Sequence, residues 1–135
     1  MWRNTCPLED SALNQFENHF SFRIEPVLRQ FLLTHNGGSP NGADFPTEKK
    51  IRKLCWLFDF SNRNGQDGAW CVNEHLRRWL GPDRIAIGRD HDMNYIIVER
   101  DRSERNRQRI VVWIGATMEF ECCAVDIHTF TRIVS

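Results

Sequence analysis

The apolar residues of segment 24–38 recur every three or four positions, which is typical of the buried face of a helix: Ile24, Val27, Leu28, Phe31 and Leu32. Pro26 suits the first turn of this helix, because a residue there needs no N–H partner and proline already has a helical φ. The pattern predicts a central helix that begins near Pro26. We expect Phe31 and Leu32 to be buried against a sheet, together with Trp113.

The end of this helix is marked by Asn36, Gly37 and Gly38, with Pro40 just beyond them. Asparagine and glycine tolerate left-handed backbone angles, so the helix can end with its last carbonyl groups bonded. Proline stops any continuation of the helix. We therefore expect at least one of the two glycines to have a positive φ.

A second clear helical pattern covers Ala69–Leu80. Its predicted buried side consists of Ala69, Val72, Leu76, Trp79 and Leu80. Trp70 falls outside that stripe, so we expect it to be partly exposed and available as an aromatic anchor for a partner.

Weaker signals predict the remaining helices and the loops. Segment 7–20 has a helical pattern, and Asp126 is placed to cap a terminal helix, Ile127–Val134, which contains Phe130. Segments 37–46 and 61–68 are rich in glycine, serine, asparagine and aspartate and are predicted to be surface loops.

Five segments rich in β-branched or aromatic residues predict strands: 54–60, 85–88, 95–99, 110–114 and 120–124. Helices come first along the chain and strands dominate later. This order predicts one α+β domain over residues 1–135, with a largely antiparallel sheet of about four to six strands and helices packed on one side.

Composition narrows the function. Basic and acidic residues balance at 18 each, which argues against a dedicated duplex-DNA binder. The chain has no apolar run long enough to cross a membrane or to form a signal peptide. Its five cysteines form no C-x-x-C pair and are interpreted as reduced thiols of a cytoplasmic protein.

Asp90, His91 and Asp92 form the most suggestive polar cluster, since carboxylate and imidazole groups bind metals and transfer protons. Neighbouring residues in a turn point in different directions, however, and no second ligand motif occurs, so a solvated turn is favoured. No catalytic or nucleotide-binding motif is present, and we expect no enzyme activity, metal or cofactor. A Cys–His pair that forms only in the fold stays open as an alternative.

The connection 100–107 contains four arginines and two carboxylates. Arginines at this density can hold phosphate or RNA, but the interleaved carboxylates dilute the positive field. The pattern favours an exposed, soluble hairpin, and direct nucleic-acid binding is not expected.

The order of these motifs resembles the SUKH superfamily, which includes fungal cell-wall-assembly regulators and bacterial immunity proteins that neutralise polymorphic toxins. The resemblance lies in segment 24–40, with its Asn36-Gly37-Gly38 helix end, in the blocks 85–90 and 94–98, in the strand around Trp113 and in the closing segment 127–134. It implies a SUKH-like α+β fold with Phe31, Leu32, Asn36, Gly37, Gly38, Pro40, Trp113 and Phe130 as structural residues.

The resemblance also implies a non-enzymatic immunity protein that binds a cognate toxin. The acidic residues of the predicted loops are then candidates to cover the positive cleft of a nuclease toxin: Asp44, Glu48, Asp59, Asp67, Asp90 and Asp92. Arg102 and Arg105 offer the opposite arrangement, docking on an acidic toxin surface. A regulatory scaffold that binds host proteins remains an alternative, as does a small nucleotide- or nucleic-acid-binding domain built around Asp90, His91 and the arginine hairpin.

Overall fold

Six antiparallel strands form the main sheet of the computed structural model, which describes residues 2–135. The helices are α1 (Asp10–Phe20), α2 (Pro26–His35), α3 (Ala69–Leu80) and α4 (Ile127–Val134). The strands are β1 (Trp2–Arg3), β2 (Ser39–Pro40), β3 (Asp44–Pro46), β4 (Ile51–Leu57), β5 (Arg84–Asp90), β6 (Tyr95–Asp101), β7 (Arg107–Ile114) and β8 (Glu119–Cys122). The predicted α+β fold with an antiparallel sheet is confirmed.

The order of strands in this sheet is β3-β4-β5-β6-β7-β8, so each strand pairs with its neighbour in the sequence. The sheet is curled: a single bridge between Thr47 and Cys123 connects the end of β3 with the end of β8, the two outermost strands. Helix α4 packs against α2, β3 and β7, and α3 packs against β5.

Helix α2 has the predicted bounds. Glu25 caps it, since its carboxylate accepts hydrogen bonds from the backbone N–H groups of Val27 and Leu28 at 3.1 and 3.2 Å. Phe31 and Leu32 are buried, as predicted. Trp113 is buried as well, as predicted. The ring of Phe31 contacts those of Trp2, His35 and Phe130.

The end of α2 confirms the prediction for the glycines. Gly37 has φ +71°, whereas Gly38 has an ordinary φ but no space, because a Cβ there would lie 2.6 Å from Cγ2 of Thr5. Asn36 is fully buried and joins three segments, since its side chain accepts from the N–H of Phe60 at 2.8 Å and donates to the carboxylate of Asp59 at 2.8 Å and to the carbonyl of Cys6 at 3.3 Å.

The segment 37–46 is not the predicted surface loop. It contains β2, which pairs with β1, so that Pro40 lies opposite Trp2, and it contains β3, the outermost strand of the sheet. Ala43 and Phe45 are buried on either side of an exposed Asp44. In a strand of three residues, the alternation of buried and exposed side chains is too short to be recognised within a segment rich in glycine and proline.

Helix α3 has the predicted bounds but a different buried face. Trp70 is buried, and its indole N–H donates to the carbonyl of Phe60 at 3.1 Å, whereas Trp79 is 45% exposed. The reason is Asn73, which lies in the middle of the buried face and bonds both the N–H and the carbonyl of Ala86 at 2.7 and 2.9 Å. Because Asn73 is polar, the apolar pattern of the sequence placed the buried face on its apolar neighbours instead of on Asn73 and Trp70.

Two more boundaries differ from the predictions. Helix α1 begins at Asp10 rather than at residue 7, and β4 covers Ile51–Leu57 rather than 54–60. The start of β4 was missed because it contains the charged residues Arg52 and Lys53. The end was placed too late because Phe58 and Phe60 are apolar and buried although they lie beyond the strand. The predicted positions of β5, β6, β7, β8 and α4 are confirmed, and Asp126 caps α4 by accepting from the N–H of Thr129 at 2.8 Å.

Candidate functional site

Three turns meet at one end of the sheet: 47–50 between β3 and β4, 91–94 between β5 and β6, and 115–118 between β7 and β8. We call these turns, with the strand residues next to them, the three-turn end. Lys50 lies 3.8 Å from Asp92, which joins the first turn to the second. The side chain of Asn94 accepts from the N–H of Gly115 at 3.1 Å, which joins the second turn to the third.

The first turn is also joined to β8, the strand that follows the third turn. The backbone N–H of Glu48 donates to the carbonyl of Cys122, the last residue of β8, at 2.9 Å, and the Glu48 carboxylate accepts from the N–H of Cys122 at 3.2 Å. Lys49 lies 3.8 Å from Glu119. The three turns therefore form one connected surface, although up to about 70 residues separate them in the chain.

A network of buried charged side chains lies beneath the surface of the three-turn end. The guanidinium of Arg52 donates two hydrogen bonds to the carboxylate of Glu121, at 2.8 and 3.0 Å, and lies 3.4 Å from Asp90. All three side chains are at least nine-tenths buried. Arg52 belongs to β4, Asp90 to β5 and Glu121 to β8, so the network fixes the positions of three strands relative to one another.

The electrostatics of this network follow from its hydrogen bonds. The bonds from Arg52 lower the pKa of Glu121 below its ordinary value, against the opposing effect of burial, and the hydroxyl of Thr47 at 2.5 Å lowers it further. The same pairing with Glu121 raises the pKa of Arg52. Both groups are thus held in their charged forms, as a bidentate buried pair requires.

The turn 91–94 is the most constrained of the three. The carboxylate of Asp90 accepts from the N–H groups of Asp92 and Asn94, both at 2.9 Å. The guanidinium of Arg89 donates to the carbonyl of Met93 at 2.8 Å and to the hydroxyl of Tyr95 at 2.5 Å. This turn is therefore preorganised by side chains from both of the strands that it joins.

Large apolar side chains project from this constrained backbone. Ile51, Met93 and Met118 are 61%, 52% and 55% exposed. Next to them, an aromatic row crosses three strands: Trp113 stacks with Tyr95 on one side and with Phe120 on the other, at ring distances of 6.1 and 5.9 Å. The guanidinium of Arg89 lies over the ring of Tyr95, which adds a cation–π contact to the row.

This arrangement is suited to contact with another protein. Methionine, tyrosine and arginine are enriched in protein interfaces, and a surface that is already ordered loses little entropy on binding. Trp113, at the centre of the aromatic row, is itself buried. Exposed apolar side chains held on rigid turns are favourable to bury, since the cost of ordering them has been met by the fold.

Three of the predicted candidates lie at the three-turn end: Glu48, Asp90 and Asp92. Glu48 and Asp92 are exposed, as a binding role requires, but Asp90 is fully buried. The solvated turn predicted for Asp90, His91 and Asp92 holds for His91 and Asp92, which are exposed, but not for Asp90, whose buried carboxylate accepts from backbone N–H groups of that turn. Asp44 lies nearby on β3 and is exposed, 3.6 Å from Lys53.

The other acidic candidates lie elsewhere. Asp59 is half-buried, and its carboxylate accepts from Asn36, from the N–H of Ser61 and from the Ser61 hydroxyl. Burial raises the pKa of Asp59, but these hydrogen bonds together lower it by more, so the pKa lies below its ordinary value and the carboxylate is engaged within the fold. Asp67 is exposed in the loop before α3. The prediction that Trp70 is partly exposed is wrong, because Trp70 is buried. The exposed tryptophan of α3 is Trp79.

Arg102 and Arg105 lie at the opposite end of the sheet. They follow β6 in a short 3-10 helix and the turn after it, where Asp101 pairs with Arg107, whereas Tyr95 pairs with Trp113 next to the three-turn end. Seven residues of strand at about 3.3 Å each separate the two ends by roughly 20 Å. Arg102 lies 2.6 Å from Asp83, and Arg105 is exposed.

Sequence reasoning missed the residues that define the three-turn end: Ile51, Arg52, Met93, Met118 and Glu121. Among these residues, only Met93 could have been noticed in the sequence. An apolar residue inside a polar turn, as Met93 is after Asp90-His91-Asp92, can be noticed in a sequence. The meeting of three turns depends on the curl of the sheet, which local patterns do not encode.

Within residues 2–135, no three or more histidine, cysteine, aspartate or glutamate side chains are grouped as a metal ion needs. None of the helices in this part of the chain is long and apolar enough to span a membrane.

The comparison with protein families gives a match over nearly the whole chain. The model of the SMI1 / KNR4 family (SUKH-1) matches residues 7–132, which include α1, α2, α3 and every strand of the six-stranded sheet. Neither the curated proteins nor the solved structures gave a significant match. By its sequence, from the residues before α1 into α4, the chain belongs to the SMI1 / KNR4 family (SUKH-1).

Proposed function

We propose that this protein is an immunity protein, which binds a cognate toxin domain in the cytoplasm and neutralises it by occupying its surface, without catalysis. The observation that carries the proposal is the three-turn end, where Ile51, Met93 and Met118 are exposed on a backbone fixed by the buried Arg52 network. Membership of the SUKH-1 family supports a protein-binding role. The immunity role is what the resemblance to toxin-neutralising SUKH proteins implies.

The charges of the three-turn end indicate what kind of toxin surface it fits. Residues 47–52, 90–94 and 115–121 contain five carboxylates and three basic groups, a net charge of −2 with His91 neutral. The exposed acids are Glu48, Asp92 and Glu119. Lys50 lies 3.8 Å from Asp92 and Lys49 lies 3.8 Å from Glu119; such exposed pairs contribute little and exchange readily for a partner's charges. Asp92 also lies 3.4 Å from Arg52. A basic toxin surface, such as the cleft of a nuclease, suits this end.

The proposal is tested with the toxin domain encoded immediately upstream of this protein's gene. The toxin is expressed alone and together with this protein, and the association of the two purified proteins is measured at low and high salt. We expect the protein to restore growth and to form a one-to-one complex. A toxin that kills equally well in its presence would contradict the immunity role, and stable binding to a host protein instead would favour a regulatory scaffold.

Charge variants then identify the surface. We expect a triple variant of the acidic rim, Glu48→Gln with Asp92→Asn and Glu119→Gln, to slow association several-fold at low salt and less at high salt, because rim charges mainly steer encounter. The matched control is Arg102→Gln with Arg105→Gln at the opposite end. If only the arginine variant slows association, the interface is the hairpin and not the three-turn end.

A further inference from the structure

Two methionines occupy backbone positions that normally favour glycine. Met93 has φ +65° and Met118 has φ +62°, both in the left-handed region. An L-residue with a β-carbon is strained there, whereas glycine adopts these angles freely. The chain uses glycine at three other positive-φ positions, namely Gly37, Gly42 and Gly81.

The hydrogen bonds of each turn explain why the left-handed angle is required. The N–H of Met93 donates to the carbonyl of Asp90 at 3.1 Å, which closes the turn before β6. The N–H of Met118 donates to the carbonyl of Ile114 at 2.8 Å, which closes the turn before β8. A tight turn followed by a left-handed residue is a common hairpin geometry, in which glycine is the usual choice.

Nothing inside the fold compensates for the two side chains. More than half of the surface of each methionine is exposed. The other non-glycine residues of segment 2–135 with positive φ are polar: Asn4, Ser21, Arg105 and Asn106. Asparagine in particular tolerates this region because its side chain bonds the local backbone. An exposed methionine has no such local compensation, and strain of this kind clusters at functional sites.

The two turns that carry these methionines are adjacent and rigidly joined. Asn94, the residue after Met93, accepts from the N–H of Gly115 in the turn that ends at Met118. Arg89 holds the carbonyl of Met93, and Lys49 lies beside Glu119, the residue after Met118. The two thioether side chains are therefore presented from one fixed surface, within an acidic rim.

We propose that Met93 and Met118 are the two anchors by which the three-turn end binds its toxin, and that the toxin presents two apolar recesses bordered by basic side chains. This inference rests on the proposed function and specifies its interface. The methionine side chain is unbranched and polarisable, so it fills an apolar recess of irregular shape. The basic border follows from the acidic rim of Glu48, Asp92 and Glu119.

The test replaces each methionine by the residue that its backbone favours. We expect Met93→Gly and Met118→Gly each to weaken toxin binding about tenfold or more, as the loss of an interface anchor does, and the double variant to weaken it further. Because glycine removes the backbone strain, we expect the thermal midpoint of each variant to stay the same or to rise. Affinity is measured by biolayer interferometry and unfolding by circular dichroism.

The chain offers a matched control at the opposite end of the sheet. Asn106→Gly makes the same backbone change at φ +59°, far from the three-turn end, and we expect this variant to bind the toxin as the wild type does. Met93→Leu with Met118→Leu keeps the apolar volume and is expected to retain most of the affinity.

The possible outcomes separate this inference from the proposed function. If the wild type binds the toxin and the glycine variants bind equally well, the anchors are wrong while the immunity role stands. Glycine variants that melt at lower temperature, or a control that weakens binding as much, also overturn the inference. If the wild-type protein binds no toxin, the proposed function fails and this inference fails with it.

Discussion

Gly37 and Gly38 are adjacent residues that the fold requires for two different physical reasons. Gly37 needs a positive φ, and Gly38 needs the absence of a β-carbon, which would lie 2.6 Å from Thr5 and 3.0 Å from the carbonyl of His35. We expect Gly37→Ala to lower the free energy of unfolding by about 1 kcal/mol or more, and Gly38→Ala to lower it by a larger amount. Urea unfolding measures both.

A second-site change distinguishes the two reasons. Thr5→Ser removes the methyl group nearest to the new β-carbon, so it should restore part of the stability that Gly38→Ala loses. It should restore none of the loss in Gly37→Ala, whose cause is the backbone angle. Equal rescue of both variants would show that the distinction is wrong.

The two tryptophans of α3 differ in burial: Trp70 is buried and Trp79 is exposed. Trp70 is packed among Phe16, His19 and Phe20, whereas Trp79 contacts only the side chains of its own helix among the aromatic and cation–π pairs of residues 2–135. We expect Trp70→Ala to cost about 3–5 kcal/mol and Trp79→Ala less than about 1 kcal/mol. Similar losses in chemical unfolding would contradict the assignment of the buried face.

At the scale of elements, the Arg52 network connects strands that are distant in the sequence. Removing the guanidinium leaves Glu121 and Asp90 buried without their cation, so we expect Arg52→Ala to cost about 3–5 kcal/mol. Arg52→Lys keeps the charge but not the bidentate bonds, so its free energy of unfolding should lie between those of the wild type and Arg52→Ala. The control is Arg102→Ala, an exposed partner of Asp83, with an expected loss below about 1 kcal/mol. Equal stability of Arg52→Ala and this control would show that the network does not hold the strands together.

The same network predicts how stability depends on pH. The folded pKa of Glu121 lies below its ordinary value of 4.5, so ionised Glu121 stabilises the fold above that pH, and the contribution is lost as the pH falls through the folded pKa. We expect the free energy of unfolding to fall on acidification below about pH 4.5, and to fall less steeply in Glu121→Gln. Urea titrations at a series of pH values test this. An identical slope in the variant would assign the acid sensitivity to other carboxylates.

Local patterns in the sequence were sufficient for the elements whose apolar residues face one way. They predicted α2, α3, α4 and the positions of β5 to β8, because each has a clear repeat or a run of β-branched residues. They failed for β3, which is too short, and for the start of β4, where charged residues hide a strand. They also misplaced the buried face of α3, since Asn73 is polar but bonds the backbone of β5.

The candidate site was harder to predict than the fold. Acidic loop residues could be identified, and Glu48 and Asp92 do lie together, but Asp90 differs from Asp92 only by its position in the turn. Arg52 lies 3.4 Å from both carboxylates, so it does not distinguish them. The buried carboxylate is the one that accepts from the turn's own N–H groups, those of Asp92 and Asn94. The exposed methionines become informative only when their backbone angles are known.

At the scale of the whole molecule, the net charge of zero conceals an uneven distribution. The three-turn end carries a net charge of −2, whereas segments 77–84 and 99–109 near the opposite end contain eight arginines and four carboxylates, a net charge of +4. Such a molecule orients itself in the field of a charged partner even though its overall charge is balanced. The acidic and apolar end is therefore expected to approach a basic toxin first.

The central claim is that the three-turn end is the surface that binds the toxin, and hydrogen–deuterium exchange of this protein with and without the upstream-encoded toxin domain tests it most directly. We predict slower exchange in peptides that cover 47–51, 91–94 and 115–119, with little change in α3 and in the hairpin 99–109. Protection confined to α3 or to that hairpin, with the three turns exchanging as they do in the free protein, would contradict the account.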